Sequence, residues 1–185
     1  DKELITNDIM YSNYICNYAW FSSEKYDVAK VETIIDTYNK LKVYEENYMT
    51  KNFADTYFSR EDCAKIGYIR EDIEKKYKNN KINFRERALL LTSLLYAMDK
   101  IAKTCGHYDA YRKDVEFDAH LELLLPLASQ KNNSENVCYN MDSNELVRKI
   151  YADLVYIDPP YNSRQYCDAY HMLENVATWE KPEVF

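Results

Sequence analysis

The residues best suited to chemistry stand together near the end of the sequence, at Asp158-Pro159-Pro160-Tyr161. An acid, two prolines and a tyrosine in that order arise by composition alone in about one chain per thousand of this length. Here they follow directly on an apolar run, residues 152–157. The grouping suits the activation of an exocyclic amine. Such an amine on adenine is a poor nucleophile, because its lone pair is delocalised into the ring. Asp158 can accept one of its N–H bonds. The carbonyl of Pro159, held extended by the proline that follows, can accept the other. Together they favour a pyramidal nitrogen whose lone pair points at an incoming methyl group, and charge-assisted acceptance and positioning both contribute rate. Tyr161 offers a flat face for a base swung out of a helix. With a sulfonium as methyl donor, neither a metal nor a covalent intermediate is needed. The competing reading is a proline-rich turn that merely leaves a sheet.

The elements around this loop are legible in part. Residues 3–7 read as a strand running into a helix over 9–21. A second helix covers 28–41, with Val28, Val31, Ile34, Ile35, Tyr38 and Leu41 on one face. Residues 45–58 lack periodicity and read as loop. Ser59 with Asp62, then Asn83 with Glu86, mark the starts of two further helices. Ile66, Ile69, Ile73 and Tyr77 line the first; the second runs through Leu90, Leu91, Leu94, Leu95, Met98 and Ile101 and is expected to stop at Gly106. Leu121, Leu123 and Leu125 alternate as in a short strand over 120–126. A strand over 137–141 ending at Asp142, a helix over 144–150 and a strand over 152–157 ending at Asp158 complete the pattern. The two strands are expected to be parallel neighbours with both acids on one edge, where ligands bind in open α/β sheets.

Composition limits the alternatives. No apolar run approaches the roughly 20 residues of a membrane helix, and no signal peptide is visible, so membrane partners are not expected. The five cysteines are scattered without a Cys-x-x-Cys pair, which fits reduced thiols in a cytoplasm and gives no zinc site. His107, His120 and His171 lack metal-ligand spacing, so no metal is expected. The 19 tyrosines suit surfaces that stack and hydrogen-bond, or a tyrosine-rich core. The net charge of −7 divides unevenly. Residues 1–50 hold 5 basic and 9 acidic side chains, 51–115 hold 14 and 10, and 116–185 hold 5 and 12. The basic middle segment could face phosphates, with Lys75, Lys76, Lys78, Lys81 and Arg85 as its best patch, followed by Arg87; Arg164 is a further phosphate candidate. Solvated helix faces are the alternative for all of these.

The run Leu154-Val155-Tyr156-Ile157-Asp158-Pro159-Pro160-Tyr161-Asn162-Ser163-Arg164-Gln165-Tyr166, followed by Tyr170-His171-Met172-Leu173-Glu174, resembles DNA adenine methyltransferases of the Dam-like, restriction–modification type. Ile5-Thr6-Asn7-Asp8 with Tyr11-Ser12-Asn13-Tyr14, and Tyr139-Asn140-Met141-Asp142 with Glu145-Leu146, resemble two further motifs of that family in the same order. The segment Lys103–Tyr108 resembles the stretch that precedes its catalytic motif. The resemblance implies an α/β fold with a partial Rossmann-like methyltransferase core, residues 1–23 and 116–185, and a helical insertion over 24–115 as the DNA-contacting region. It implies an adenine-specific, site-specific DNA methyltransferase that uses S-adenosyl-L-methionine, with double-stranded DNA as partner alongside a cognate restriction endonuclease. Asp8 would hold the cofactor ribose, Ile9 would pack on its adenine and Asp142 would accept from its amino group. Asp158 would lie at both the cofactor and the target base, with Pro159, Pro160 and Tyr161 completing the catalytic loop. A helix cap is the competing role for Asp8 and for Asp142. Cytosine N4, RNA adenine and a protein glutamine amide are alternative acceptors for the same loop, and a non-catalytic binding module is the alternative outside enzymes. The chain holds only two glycines, Gly67 and Gly106, and no glycine-rich cofactor loop. It therefore reads as an internal portion of such an enzyme, expected to bind cofactor weakly by itself.

Overall fold

A computed structural model describes residues 2–113, 116–159 and 166–184. Its elements in chain order are β1 (Ile5–Asn7), α1 (Tyr11–Phe21), α2 (Val28–Lys40), α3 (Tyr48–Phe53), α4 (Arg60–Lys78), α5 (Phe84–Ile101), β2 (Val137–Tyr139), α6 (Ser143–Leu146), α7 (Tyr166–Ala169) and α8 (His171–Thr178). This is a helix-rich α/β arrangement with a two-stranded parallel sheet among the described residues.

Helix α5 sits at the centre. Its run Ala88-Leu89-Leu90-Leu91-Thr92-Ser93-Leu94-Leu95 is buried throughout, because a helix that is apolar around its whole circumference must be covered on every side. α1, α2, α4 and α8 provide the cover. One apolar cluster runs from Ile15 and Ala19 through Ile35, Ile66 and Leu94 to Leu123, Met172 and Val176. It crosses both expected domain boundaries, at residues 23 and 115. The amino end of α5 is fixed as its sequence predicts: Asn83 Oδ1 accepts from Glu86 N at 2.8 Å, and Asn83 N donates to Glu86 Oε2 at 2.9 Å. Ser59 Oγ likewise accepts from Asp62 N at the start of α4.

Several expectations need correction. The stretch 45–58 contains α3, whose start is a capping box of Asn47 with Thr50 in place of the usual Glu or Gln. Helix α5 ends at Ile101, not Gly106, because Ala102 turns extended at ψ 132°; Gly106 instead serves a loop turn at φ +95°. Residues 120–126 are extended with Leu121 and Leu123 buried as the alternation requires, but they join no sheet. Side chains take the place of a partner strand. Leu121 N donates to Asp62 Oδ1 at 2.9 Å, Leu123 N donates to Asn39 Oδ1 at 2.8 Å, and Asn39 Nδ2 donates back to Leu123 O at 2.9 Å. The helix expected over 144–150 is the shorter α6, followed by a turn.

The sheet itself differs from the expected pairing. β2 pairs with β1, in the register Ile5↔Val137, Thr6↔Cys138, Asn7↔Tyr139. Residues 152–157 form no strand, and Leu154, Val155, Tyr156 and Ile157 are 62% to 87% exposed. An apolar, β-favouring sequence makes a strand only where a neighbouring edge accepts its backbone hydrogen bonds, and this run pairs with neither open edge of the two-stranded sheet.

Gly67 marks a close approach in this packing. A Cβ built there would lie 2.3 Å from Asn47 Oδ1. Asn47 cannot move freely, since its amide caps α3 through Met49 N and Thr50 N and donates to Ala64 O at 2.8 Å. Alanine inside a helix ordinarily stabilises relative to glycine. Here Gly67→Ala is expected to destabilise by about 1–3 kcal/mol through overpacking, measured as a lower urea midpoint with unchanged slope. A midpoint at or above that of the unsubstituted protein would show that Asn47 yields without cost.

Candidate active site

Because β1 and β2 run parallel, the residues that follow them emerge at one edge of the sheet. Asp8 follows β1 directly, and Asp142 lies just beyond β2. Asn7 ties the two ends together: its Nδ2 donates to Met141 O and Ser143 Oγ, both at 3.0 Å, and its Oδ1 accepts from Met141 N at 3.2 Å. Asn140 Nδ2 reaches the other way, to Asp8 O at 2.8 Å and Ile9 O at 2.9 Å. Asp8 and Asp142 therefore share one crosslinked edge.

Asp142 carries the capping role, at the start of α6; Asp8 does not, since the N-cap of α1 is Met10 and Asp8 closes a turn just before it. Asp8 Oδ1 accepts from Met10 N at 2.8 Å and Oδ2 from Asn13 Nδ2 at 2.9 Å. Asp142 Oδ1 accepts from Asn144 N at 2.7 Å and Asn144 Nδ2 at 3.0 Å, and Asp142 is exposed. Each carboxylate has about four lone-pair sites, so these bonds leave acceptor capacity on both. Ile9, between Asp8 and α1, is 72% exposed and presents an apolar side chain at this edge. Asp158 and Pro159 are exposed and outside regular structure. Pro160, Tyr161 and Arg164 lie outside the described residues. A cleft of about 310 Å³ lined by Tyr18, Ser22, Glu24 and Val137 opens at the amino-terminal end of β2, away from Asp8 and Asp142.

The chain resumes at α7 and α8, which are fastened more tightly than the sequence suggests. Glu174 on α8 accepts at Oε1 from Tyr11 N at 2.8 Å, and at Oε2 from Ser12 N at 2.8 Å and Ser12 Oγ at 2.7 Å. At the other end of α8, the buried Arg70 donates from Nε to Val176 O at 2.7 Å and from Nη2 to Ala177 O at 3.1 Å. Arg70 also pairs with Glu74, which accepts from Arg87 as well, and Arg87 donates to the Tyr11 hydroxyl at 2.9 Å. Burial opposes ionisation of Glu74, but the hydrogen bond from Arg70 and the charge of Arg87 outweigh it and hold its carboxyl below the ordinary value. Nothing local announces these contacts: Glu174 lies 163 residues from Tyr11. His171 stands at the start of α8, exposed, with Nδ1 2.8 Å from Asp168 O.

The expected DNA patch separates into two groups. Lys75, Lys78 and Lys81 are exposed at and beyond the carboxyl end of α4. Lys76 pairs with Asp72 and lies over the Tyr38 ring. Arg85, by contrast, is buried. Its guanidinium donates to Ala19 O at 3.3 Å, Glu24 O at 2.7 Å and Ser129 O at 2.8 Å, and stacks on Tyr26. Arg85 thus holds three backbone segments together and presents no surface to a phosphate; a lysine or arginine count cannot distinguish these two uses. Among the described residues no cluster of three or more His, Cys, Asp or Glu could hold a metal ion. Nor is any helix among them long and apolar enough to cross a membrane.

A short parallel sheet carries acids at its carboxyl edge, and Asp158-Pro159-Pro160-Tyr161 lies downstream in the sequence, the combination that the resemblance to amino-methyltransferases rests on. Comparison with known proteins makes this specific. The family model for D12 class N6 adenine-specific DNA methyltransferases matches residues 1–185, and the chain belongs to that family. Among its relatives is the Type II methyltransferase M.FokI of Planomicrobium okeanokoites, 32% identical over 200 residues, covering 100% of this chain and 31% of the relative. The modification methylase LlaI of Lactococcus lactis subsp. lactis is 33% identical over 201 residues, covering 98% and 32%. The Type II methyltransferase M.NlaIII of Neisseria lactamica is 29% identical over 185 residues, covering 97% and 55%. The chain therefore spans about a third to just over half the length of these curated relatives. No solved structure matches it.

The two groups of cations are expected to respond differently to substitution. Arg85→Ala should lower stability by about 3–5 kcal/mol, since it empties a fully buried side-chain site and strands the carbonyls of Ala19, Glu24 and Ser129. In the folded fraction it should leave the salt dependence of DNA binding unchanged. The triple substitution Lys75→Ala, Lys78→Ala, Lys81→Ala should leave melting nearly unchanged. It should reduce the slope of log K against log salt by roughly one for each phosphate no longer neutralised. An unchanged slope would remove these lysines from the DNA interface.

Proposed function

We propose that the full-length protein methylates the N6 amine of adenine in double-stranded DNA with S-adenosyl-L-methionine as donor, as the modification component of a restriction–modification system acting in the cytoplasm. The observation that carries this reading is membership of the adenine-specific family across residues 1–185, in a chain whose Asp8 and Asp142 share one sheet edge. In this reading β1, β2 and the segments after them belong to a Rossmann-like methyltransferase core. Helices within 24–115 contribute the DNA-facing surface, with Lys75, Lys78 and Lys81 on it.

The edge suits the cofactor chemically. Ile9 gives an exposed apolar surface for a flat ring, and Asp8 and Asp142 give acceptors for hydroxyl and amino donors. S-adenosyl-L-methionine supplies an electrophilic methyl group. The protein's part is to present the nucleophile. Asp158 accepts one N–H of the target amine and the Pro159 carbonyl the other, which turns the nitrogen lone pair out of conjugation. Pro160 holds that carbonyl in place, and Tyr161 stacks on the base. As the new C–N bond forms, the methyl–sulfur bond of the donor breaks, leaving a neutral thioether, and the surplus proton leaves along the hydrogen bond to Asp158. Arg164 neutralises a nearby phosphate.

Asp158→Ala is expected to abolish methyl transfer and leave the fold intact, because Asp158 is exposed and supports no core. The effect should fall on the chemical step, since the carboxylate orients the amine in the transition state. Tyr161→Ala should weaken capture of the base, stacking being worth roughly 1–3 kcal/mol, whereas Tyr161→Phe should keep much of the activity. Single-turnover methylation by the full-length protein, with circular dichroism as the check on folding, reads both effects. A folded Asp158→Ala protein that methylates DNA at the unsubstituted rate would overturn the assignment.

A further inference from the structure

We propose that Asn7 is a positioning residue for the cofactor, one that sets Asp142 at its distance from Asp8; the inference rests on the function proposed above. The ladder between β1 and β2 ends at the pair Asn7↔Tyr139, with Asp8 N donating to Tyr139 O at 3.3 Å as its last bond. Asp142 lies three residues beyond that point and is exposed, so the ladder does not reach it. The Asn7 side chain extends the crosslink instead. Its Oδ1 accepts from Met141 N at 3.2 Å, and its Nδ2 donates to Met141 O at 3.0 Å. One planar amide thus satisfies both backbone groups of the residue before Asp142. A third bond, from Nδ2 to Ser143 Oγ at 3.0 Å, grips the residue after it.

Two other restraints act nearby, and neither holds Asp142. Asn140 Nδ2 donates to Asp8 O and Ile9 O, which fixes the Asp8 side of the edge. Leu146 is buried and anchors the far end of α6. Among the described residues, only the bonds of Asn7 join residues 141–143 to β1 or to any helix other than α6. Without the Asn7 amide, the turn bearing Asp142 can therefore shift between two held points while the fold is kept. Asp8 stays in place, since its carboxylate bonds run to Met10 N and Asn13 Nδ2. A shift of about 1 Å is enough to lose a hydrogen bond to a ligand. The amide is needed as well as its size: an aspartate here would set an acceptor against Met141 O and add charge beside Asp8.

The test is calorimetric binding of S-adenosyl-L-methionine to the full-length protein, with circular dichroism as the check on folding. Asn7→Ala is expected to raise the dissociation constant by about fivefold to fiftyfold. A thermodynamic cycle with Asp142→Asn, which keeps an acceptor for the start of α6, separates positioning from general loosening. In that background the contact made by Asp142 is already lost, so Asn7→Ala should change the constant by no more than about twofold. Where Asn7→Ala does not fold, Asn7→Asp, which keeps the size of the side chain, takes its place in both arms. Unchanged affinity in the folded variant would overturn the inference, as would an equal loss in both backgrounds. Failure of the underlying functional reading is a separate result: Asp142→Asn alone would then bind the cofactor undiminished, and the inference would fall with that reading.

Discussion

Helix α5 has almost no solvent face over most of its length, and the rest of the molecule is arranged around that constraint. Burying it requires four other helices to surround it, and each of those must then find partners for its own ends. Much of the polar structure inside the protein answers this need. Arg85, on the first turn of α5, fixes the carbonyls of residues 19, 24 and 129. Arg87, a little further along the helix, joins α5 to α4 through Glu74 and to α1 through Tyr11. Cations inside an apolar cluster persist only when their donors are spent on acceptors, and these are. They orient the helices around α5 as much as they stabilise them.

The features legible in the sequence are those whose causes are local. Capping residues mark the starts of α4 and α5, because a cap is read from residues three apart. Periodicity places α2 to within a residue, and the expected bounds of α1 hold to within two. Residues 121–125 alternate as a strand would and yet are not one, since alternation reports which side chains face the core and is silent on what the backbone pairs with. The same limit applies to residues 152–157. The exposed run there has the composition of a buried strand, but pairing depends on an edge that composition cannot locate. Helix α3 is hard to see in the sequence because it is only six residues long and its cap uses an unusual partner.

Charge and tyrosine content are legible as totals and ambiguous in use. Of the basic residues in 51–115, Arg70, Arg85 and Arg87 are interior, so the segment shows solvent less positive charge than its composition suggests. Tyrosines divide likewise. Tyr26, Tyr38 and Tyr108 are core residues, and the first two donate their hydroxyls to Ala128 O and Asp72 Oδ2. Tyr44, Tyr151 and Tyr156 stand exposed. Both readings of a tyrosine-rich chain are therefore true, of different residues. At the candidate site the acids are recognisable from their place after strands; Asp142 caps α6, and Asp8 accepts from Met10 N and the Asn13 side chain. Glu174 is beyond the reach of such reasoning, because its partners lie at the opposite end of the chain.

The pairing of β1 with β2 has a consequence for how the protein comes into being. Ile5 and Val137 are sheet partners, so β1 leaves the ribosome long before its neighbour has been made. At about 5–20 residues per second, translation separates them by roughly 7 to 26 s. During that interval the edge of β1 has no mate, and contacts between residues so far apart in sequence form slowly even once both are present. The helices of the middle segment can settle around α5 first, since their contacts are mostly between neighbours in sequence. Nascent chains should thus pass through a stage in which a helical body is assembled and the edge bearing Asp8 is still open. That edge is completed only once residues 137–139 have been made.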